Sequence, residues 1–333
     1  MIFPFQFAFS LSPSEGNKLG FYYEFEVSEN NLSTHYYQKY INEFRVYLRS
    51  NKVRYLGVKT NKNGLNIAFK TSEKREEGSF LLKRKYRESF IFFDSKDGEK
   101  YILQAKLTSL AIKQAMELSL SNIQEVLKKR TDKLGIKNKE IKTKKPNHIE
   151  VKLYGIKDFD TTRKIISSIV KVELHLIKQG KKSPRDIELQ NKNGIPIQIS
   201  RPVILSSESI TNTVPIYYQG LPALKISYGE KGSNILSDIK NRYKDKSIAV
   251  VLIETENNAK NLATGNMVMK EKNKKTIIST IRVNNISTNS ITLESFDSFK
   301  EAHELSVLLN SGSVISPYYL ISEMLINSAG ELY

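Results

Sequence analysis

Apolar positions recur along the chain at two periods, near two and near 3.6, and the switches between them set an order of elements. Residues 21–27 alternate as a strand. Over 31–50, Tyr37, Ile41, Phe44 and Leu48 fall three and four apart, which makes one apolar face of a helix. Strands are expected at 52–59 and 65–70, joined by the turn Asn61-Lys62-Asn63-Gly64. A charged helix over 73–87 and a strand at 90–93 follow. The turn Asp94-Ser95-Lys96-Asp97-Gly98 then leads to a strand at 100–106. The strongest helical pattern is 108–134, where Ile112, Ala115, Met116, Ile123, Val126 and Leu127 form the stripe. Lys128, Lys129, Arg130 and Lys133 lie at its C-terminal end, where cations complement the helix dipole, and Gly135 stands where a left-handed cap belongs.

A hairpin of 136–143 and 148–153 around Lys145-Pro146-Asn147 comes next, then a helix over 159–170 capped by Asp158 or Asp160, and a strand at 171–178. The stretch 100–178 thus reads strand–helix–strand–strand–helix–strand, and 21–93 can be read the same way. The fold class is α+β, with a ferredoxin-like split β-α-β base, in one or two copies, built of antiparallel sheets with helices on one face. In the alternative arrangement strand 21–27 belongs to the second sheet and 30–106 is an insertion. After 178 the composition changes. Residues 179–194 are polar and read as a linker or exposed loop. A second mixed unit has a strand at 221–228, a helix over 231–244 and a strand at 247–254. A polar loop over 255–265 and strands near 275–284 and 290–294 follow. Phe299, Ala302, Leu305 and Leu308 mark a helix opened by the capping box Ser298-x-x-Glu301 and closed before Gly312; 314–321 is the last strand.

The 333 residues are 39% hydrophobic and 26% charged, an ordinary globular balance with length for more than one core. Without cysteine, disulfides, thiolate metal sites and cysteine nucleophiles are excluded. The formal charge of +17 favours anionic partners, although lysine is spread along the whole chain. No stretch reaches the ~18 consecutive apolar residues of a spanning helix. The apolar start, Met1 to Leu11, contains Pro4 and lacks a basic leader, so the chain as written reads as soluble, with no export signal.

No glycine-rich phosphate loop, dinucleotide fingerprint or nucleophile elbow occurs. His35, His148, His175 and His303 lack metal-ligand spacing and read as surface or sheet residues. The expectation is a protein with no enzyme activity, catalytic residue, metal or cofactor. A basic RNA-binding protein with tandem βαββαβ domains is the alternative. Its third strand should carry aromatics for base stacking, but after Gly64 the stacking places hold Leu65 and Ile67, which suit a core.

The segment Lys128-Lys-Arg-Thr-Asp-Lys-Leu-Gly-Ile136, followed by a hairpin and His148-Ile-Glu-Val-Lys-Leu-Tyr-Gly-Ile-Lys-Asp158, resembles the SecD family of protein translocase subunits. There a helix ending in R-x-x-x-L-G-V leads through a hairpin to R-I-V-V-x-L-P-G-V-x-D; Tyr154 stands here in place of the usual proline. The resemblance continues through Lys171–Leu176, Val203–Thr211, Leu221–Ser227 and Ser247–Val251. It ends in Glu301-Ala-His-Glu-Leu-Ser-Val-Leu-Leu-Asn-Ser-Gly-Ser-Val-Ile-Ser-Pro317. Two family motifs are eroded. The opening D-L-R-G-G corresponds to Gly16–Gly20, where Lys18 and Gly20 keep its character, and the closing E-R-x-x-G-P-x-L-G to Glu323–Gly330.

The resemblance implies the large periplasmic region of such a subunit without its transmembrane helices, one expected before residue 1 and five after 333. It implies a base over 14–178 plus 312–326, a head over 179–311, and termini 1–13 and 327–333 adjoining the missing membrane helices. Gln179, Gly180 and Lys181 on one crossing, and Asn310, Ser311 and Gly312 on the other, are the implied hinge. The implied function is capture of unfolded preprotein and assistance to its export across the bacterial inner membrane, with SecF and the SecYEG channel as partners. Ile216, Tyr217, Tyr218 and Leu221 are the candidate preprotein contacts. Proton-carrying residues belong to the membrane helices, so this chain alone is expected to bind without coupling to a gradient.

Overall fold

The computed structural model describes residues 20–327 and 331, apart from 62–63, 179, 181–182, 184–185, 262–266 and 295. The side chains of 256–261 and 267–272 also lie outside the described set. The chain opens with β1 (Gly20–Glu26), α1 (Glu29–Ser50), β2 (Gly57–Asn61), β3 (Gly64–Phe69), α2 (Ser72–Tyr86), β4 (Phe90–Asp97) and β5 (Lys100–Leu107). It continues through α3 (Ser109–Lys133), β6 (Lys139–Lys144), β7 (His148–Tyr154), α4 (Phe159–Ser167) and β8 (Ile169–Leu176). Next come β9 (Asp186–Gln190), β10 (Pro196–Ser200), β11 (Leu205–Ser206), β12 (Ile210–Tyr218), β13 (Leu221–Tyr228) and α5 (Glu230–Arg242). It closes with β14 (Ser247–Asn261), β15 (Met267–Arg282), β16 (Ser290–Leu293), α6 (Phe299–Asn310) and β17 (Tyr319–Ile326).

The mixed α+β class holds, with antiparallel sheets throughout. Three folding units emerge from the strand pairing. The first sheet has the order β17-β1-β7-β6, so that β1, α3, β6, β7, α4 and β17 form a strand–helix–strand–strand–helix–strand unit from segments far apart in sequence. Its core packs Tyr23, Phe25, Ile149, Val151 and Leu153 of the sheet against Ile123 and Leu127 of α3. Gly20 sits between two neighbours: a Cβ there would lie 2.6 Å from the Tyr154 ring and 2.9 Å from the Ile326 side chain. The tyrosine that replaces the usual proline therefore packs on this glycine.

Residues 29–107 form a second unit, with sheet order β2-β3-β5-β4 under α1 and α2. Because β1 pairs with β7 and β17, the alternative reading of an insertion is the arrangement found, and 21–93 is not a second copy of the split unit. Residues 52–56 are a turn rather than the start of a strand, since Lys52 takes a left-handed backbone (φ 60) behind α1.

The third unit holds β8 to β16 with α5 and α6. Here the strand expected at 171–178 is corrected. It is β8, it follows α4 after the single residue Ser168, and it pairs with β14 and β11 instead of closing the first sheet. The closing place belongs to β17, which pairs with β1; the strand expected at 314–321 starts five residues later, after Pro317. Two polar stretches are also corrected. Within 179–194 lies β9, which forms a hairpin with β10, and residues 255–261 continue β14 alongside β15. Hydrogen-bonded partners outweigh side-chain polarity in both places.

Candidate functional site

The first and third units are joined by two chain crossings, one at Ser168 and one over 311–318, and one buried cation reaches both. Arg130, on α3, is 1% exposed. Its Nη1 donates to the carbonyl oxygens of Ile165 and Ser168, at 2.7 Å each, and to the Tyr318 hydroxyl at 2.8 Å. The Tyr318 hydroxyl donates in turn to the Ile166 carbonyl at 2.6 Å. These carbonyls are the ones a helix leaves unpaired at its C-terminal end, and the guanidinium sits on the negative pole of α4. Burial pushes the Tyr318 phenol up. The sequence expectation had Arg130 complementing the dipole of its own helix; it serves α4 instead. The marker was the arginine of the R-x-x-x-L-G-V pattern, whose periodic place on α3 turns inward.

Two asparagines fasten the second crossing from opposite sides. On the side of the third unit, Asn310 holds Thr213 of β12 by both of its amide atoms: Nδ2 donates to the Thr213 carbonyl and Oδ1 accepts from its N–H, each at 2.7 Å. On the side of the first unit, Asn122 of α3 donates to Ser313 O at 3.3 Å and accepts from the N–H of Ile315 at 2.9 Å. Between these clamps stands Gly312 at φ 92, a left-handed conformation that suits glycine. Ser311 is fully buried and its hydroxyl donates to Val307 O. Of the candidate hinge residues, then, Asn310 and Ser311 are bound into the end of α6, and Gly312 is the backbone-permissive one. Gly180, beyond β8 and away from the crossing at Ser168, is exposed with φ 96; Gln179 and Lys181 lie outside the described residues.

Helices α4 and α6 run side by side across the junction. Ile165 of α4 meets Val307 and Leu308 of α6 in a small apolar cluster. Ion pairs flank it: Lys300 Nζ lies 3.0 Å from Asp158 and Lys164 Nζ 2.7 Å from Glu304. Asp158 is also the N-cap of α4, and the Thr161 N–H, then Lys300, hold its carboxyl down at about 2. The α4–α6 contact has a charged rim, and β14 of the third unit also meets β17 of the first.

At the other end of α6 lies the candidate contact surface. Strands β12 and β13 meet in a two-residue turn, Gln219-Gly220, with φ 50 and 79. Two positive φ values in succession match the twist of a hairpin and make it a rigid turn. Beside it, Tyr217, Tyr218 and Leu221 are 66%, 40% and 61% exposed, while Ile216 is half-buried one step inside the strand. The Tyr217 ring stacks on Phe299 at 5.1 Å and 17°. Phe299 was expected in the apolar stripe of its helix; it lies outside that core and extends the aromatic surface. Its place in the first turn, behind the capping Ser298, was the available signal.

Elsewhere, Leu65 and Ile67 on β3 are fully buried, so neither can stack on a base. His175 is buried in β8 with Nδ1 2.9 Å from Ser200 O. Among the described residues no group of three His, Asp or Glu is placed to hold a metal ion, and no helix is long and apolar enough to cross a membrane.

The chain is similar to known proteins on both levels. The family described as SecDF, P1 head subdomain, matches residues 181–315. Protein translocase subunit SecD of Salmonella choleraesuis is 25% identical over 318 residues, which cover 92% of this chain and 51% of that protein. SecD of Escherichia coli strain K12 is 24% identical with the same coverage, and SecD of Pseudomonas aeruginosa 23% identical over 86% of this chain and 48% of that protein. The chain thus spans about half the length of the curated relatives it matches. A solved structure of SecDF, described as a membrane component that enhances protein export, superposes with TM-score 0.45 and 16% identity over 61% of this chain and 91% of that one. A second, SecDF in a super-membrane-facing form, gives 0.45 and 15% identity over 90% of this chain and 36% of that one. Along most of its length the chain resembles the protein translocase subunit SecD, and over residues 181–315 it matches the SecDF P1 head subdomain.

Proposed function

We propose that this chain is the periplasmic part of a protein-export accessory subunit, and that it holds emerging unfolded preprotein at the head hairpin during passage across the inner membrane. One observation carries the reading: a rigid turn presents Tyr217, Tyr218 and Leu221 to solvent beside the stacked Phe299. Tyr218 and Leu221 are cross-strand partners and Tyr217 joins Phe299, and exposed apolar groups gathered around one turn mark an interaction site. Apolar and backbone contacts need little sequence specificity, which suits many clients. The likeness to SecD supports SecF and the SecYEG channel as partners, the inner membrane as location, and proton coupling in parts of such a subunit other than this one.

The base is residues 20–168 with 313–326 and the head 169–312, turning about Ser168 and Gly312 with the α4–α6 contact as the surface that slides. Gly180, expected in the hinge, falls inside the head on this division.

Fluorescence anisotropy with a labelled, permanently unfolded polypeptide tests the contact surface. The variant Tyr217→Ser/Tyr218→Ser/Leu221→Ser is expected to bind about tenfold more weakly or worse, with an unchanged melting curve. Equal affinity in parent and variant would remove the hairpin from the function.

A further inference from the structure

We infer that the inserted unit, residues 29–107, carries a second binding groove, one that takes an acidic stretch of unfolded polypeptide. A recess of about 760 Å³ opens where the end of α1, residues 52–56 and the start of α2 meet. Its walls bear Arg49, Lys52, Arg54, Lys70 and Lys74, and no carboxylate lines it among the described residues. Lys74 is engaged by Glu77 at 2.6 Å. The other four make no ion pair among the described residues.

This crowding of like charge has a conformational cost as well as an electrostatic one. Lys52 occupies the left-handed position just behind α1, which glycine usually fills, and its side chain reaches the recess. The start of α2 does not contribute, because Thr71 caps it and Glu73 folds onto the same first turn. Hydrogen bonds from Thr71 and from its own N–H hold the Glu73 carboxyl below its usual range. The capacity for an anion therefore rests on the four unpaired cations.

The shape and lining select the ligand. A bilayer surface is met by an outward-bulging cationic face, whereas these charges line a hollow. Two of them are guanidinium groups, whose planar forks match carboxylates by paired hydrogen bonds. Apolar contact adjoins the charge: Tyr55 and Leu56 follow Arg54 directly in sequence, and Leu56 is 56% exposed. The Tyr55 hydroxyl is shut from solvent without a partner, and the Arg49 guanidinium lies 5.9 Å from the ring centroid. The guanidinium over the ring leaves less of it free for stacking a nucleic-acid base. Aspartate or glutamate alternating with apolar residues in an extended chain satisfies both kinds of wall.

The test is fluorescence anisotropy of the whole chain with two labelled peptides, one alternating Glu and Leu, the other Lys and Leu. The variant Lys52→Glu/Arg54→Glu/Lys70→Glu changes only exposed side chains, and its melting curve checks the fold; Arg54→Glu alone serves if the triple variant melts early. The Glu/Leu peptide should bind the parent in preference to the Lys/Leu peptide and weaken as salt rises. It should lose about tenfold or more in the charge-reversed variant, and bind the hairpin variant as it binds the parent. Undiminished binding after charge reversal would overturn the groove. So would loss in the hairpin variant alone, which would assign acidic clients to Tyr217 and its neighbours. Anionic vesicles and a single-stranded oligonucleotide complete the panel: groove-dependent binding of either, without groove-dependent binding of the peptide, would overturn the class of partner.

Discussion

The buried polar network of the junction and the hairpin tip both adjoin the helix α6 and are built on opposite principles. At the junction, polar groups are buried and almost all are paired: one guanidinium, one phenol and two side-chain amides hold main-chain atoms that would otherwise be orphaned. At the tip, apolar groups are left bare on a turn that needs no outside support. The stability of the assembly is therefore sensitive at the first place and tolerant at the second, while binding should show the reverse. A surface that must accept varied chains gains from few fixed polar demands; a joint that must turn about fixed points gains from many.

The largest expected effect is at Arg130. Arg130→Met takes the guanidinium from the buried carbonyls of Ile165 and Ser168, and should cost about 3 kcal/mol or more in chemical denaturation. A loss under about 1 kcal/mol would mean that water replaces the guanidinium and that the buried network is dispensable. Next come the clamps. Asn310→Ala and Asn122→Ala should each cost about 1–2 kcal/mol. Only Asn122→Ala should loosen the base side of the crossing, read as faster hydrogen exchange at Ile315 with Thr213 unchanged. Gly312→Ala, at φ 92, should cost about 1 kcal/mol and stiffen the crossing. The smallest change belongs to the tip, where the serine substitutions should stay within about 0.5 kcal/mol. A large destabilisation there would erase the contrast.

Acid adds a probe of the rim. The Thr161 N–H and Lys300 lower the folded pKa of Asp158 to about 2, below the ordinary aspartate range. Its contribution is present above the unfolded value and is lost as pH falls through the folded one, so the cap and the Lys300 pair should give way between about pH 4 and about pH 2. Asp158→Asn should flatten that part of the stability profile, and an unaltered profile would show that other carboxylates govern it.

Much of this organisation could be read in the chain before any coordinates. The helical stripes of α1 and α3, the caps Asp158 and Ser298 and the glycine at 312 follow from spacing and local chemistry, and the structure uses them as expected. What could not be read was partnership. Nothing local in 169–176 says whether that strand pairs with β1 or with β14, because its alternating pattern suits either sheet. The same limit hid β9 and β12, whose polar or proline-bearing stretches become strands only because a neighbour supplies hydrogen bonds. Arg130 illustrates the case for single residues. In sequence it is one cation among several at a helix end, and only the return of residues 165–168 and 318 gives it acceptors.

The pairing of β1 with both β7 and β17 has a consequence for the order in which the molecule forms. Gly20 finds Ile326 as its register partner, with almost the entire polypeptide lying between them. During synthesis from the N-terminus, residues 29–107 have all their sheet partners within themselves and can reach their final shape early. The unit that encloses them has to wait, with one flank of β1 unsatisfied, until the last strand leaves the ribosome. Such late, long-range closure is slow and leaves an edge open to wrong pairing meanwhile. Slipping of that first strand onto a foreign sheet is the misassembly to which this topology is most exposed.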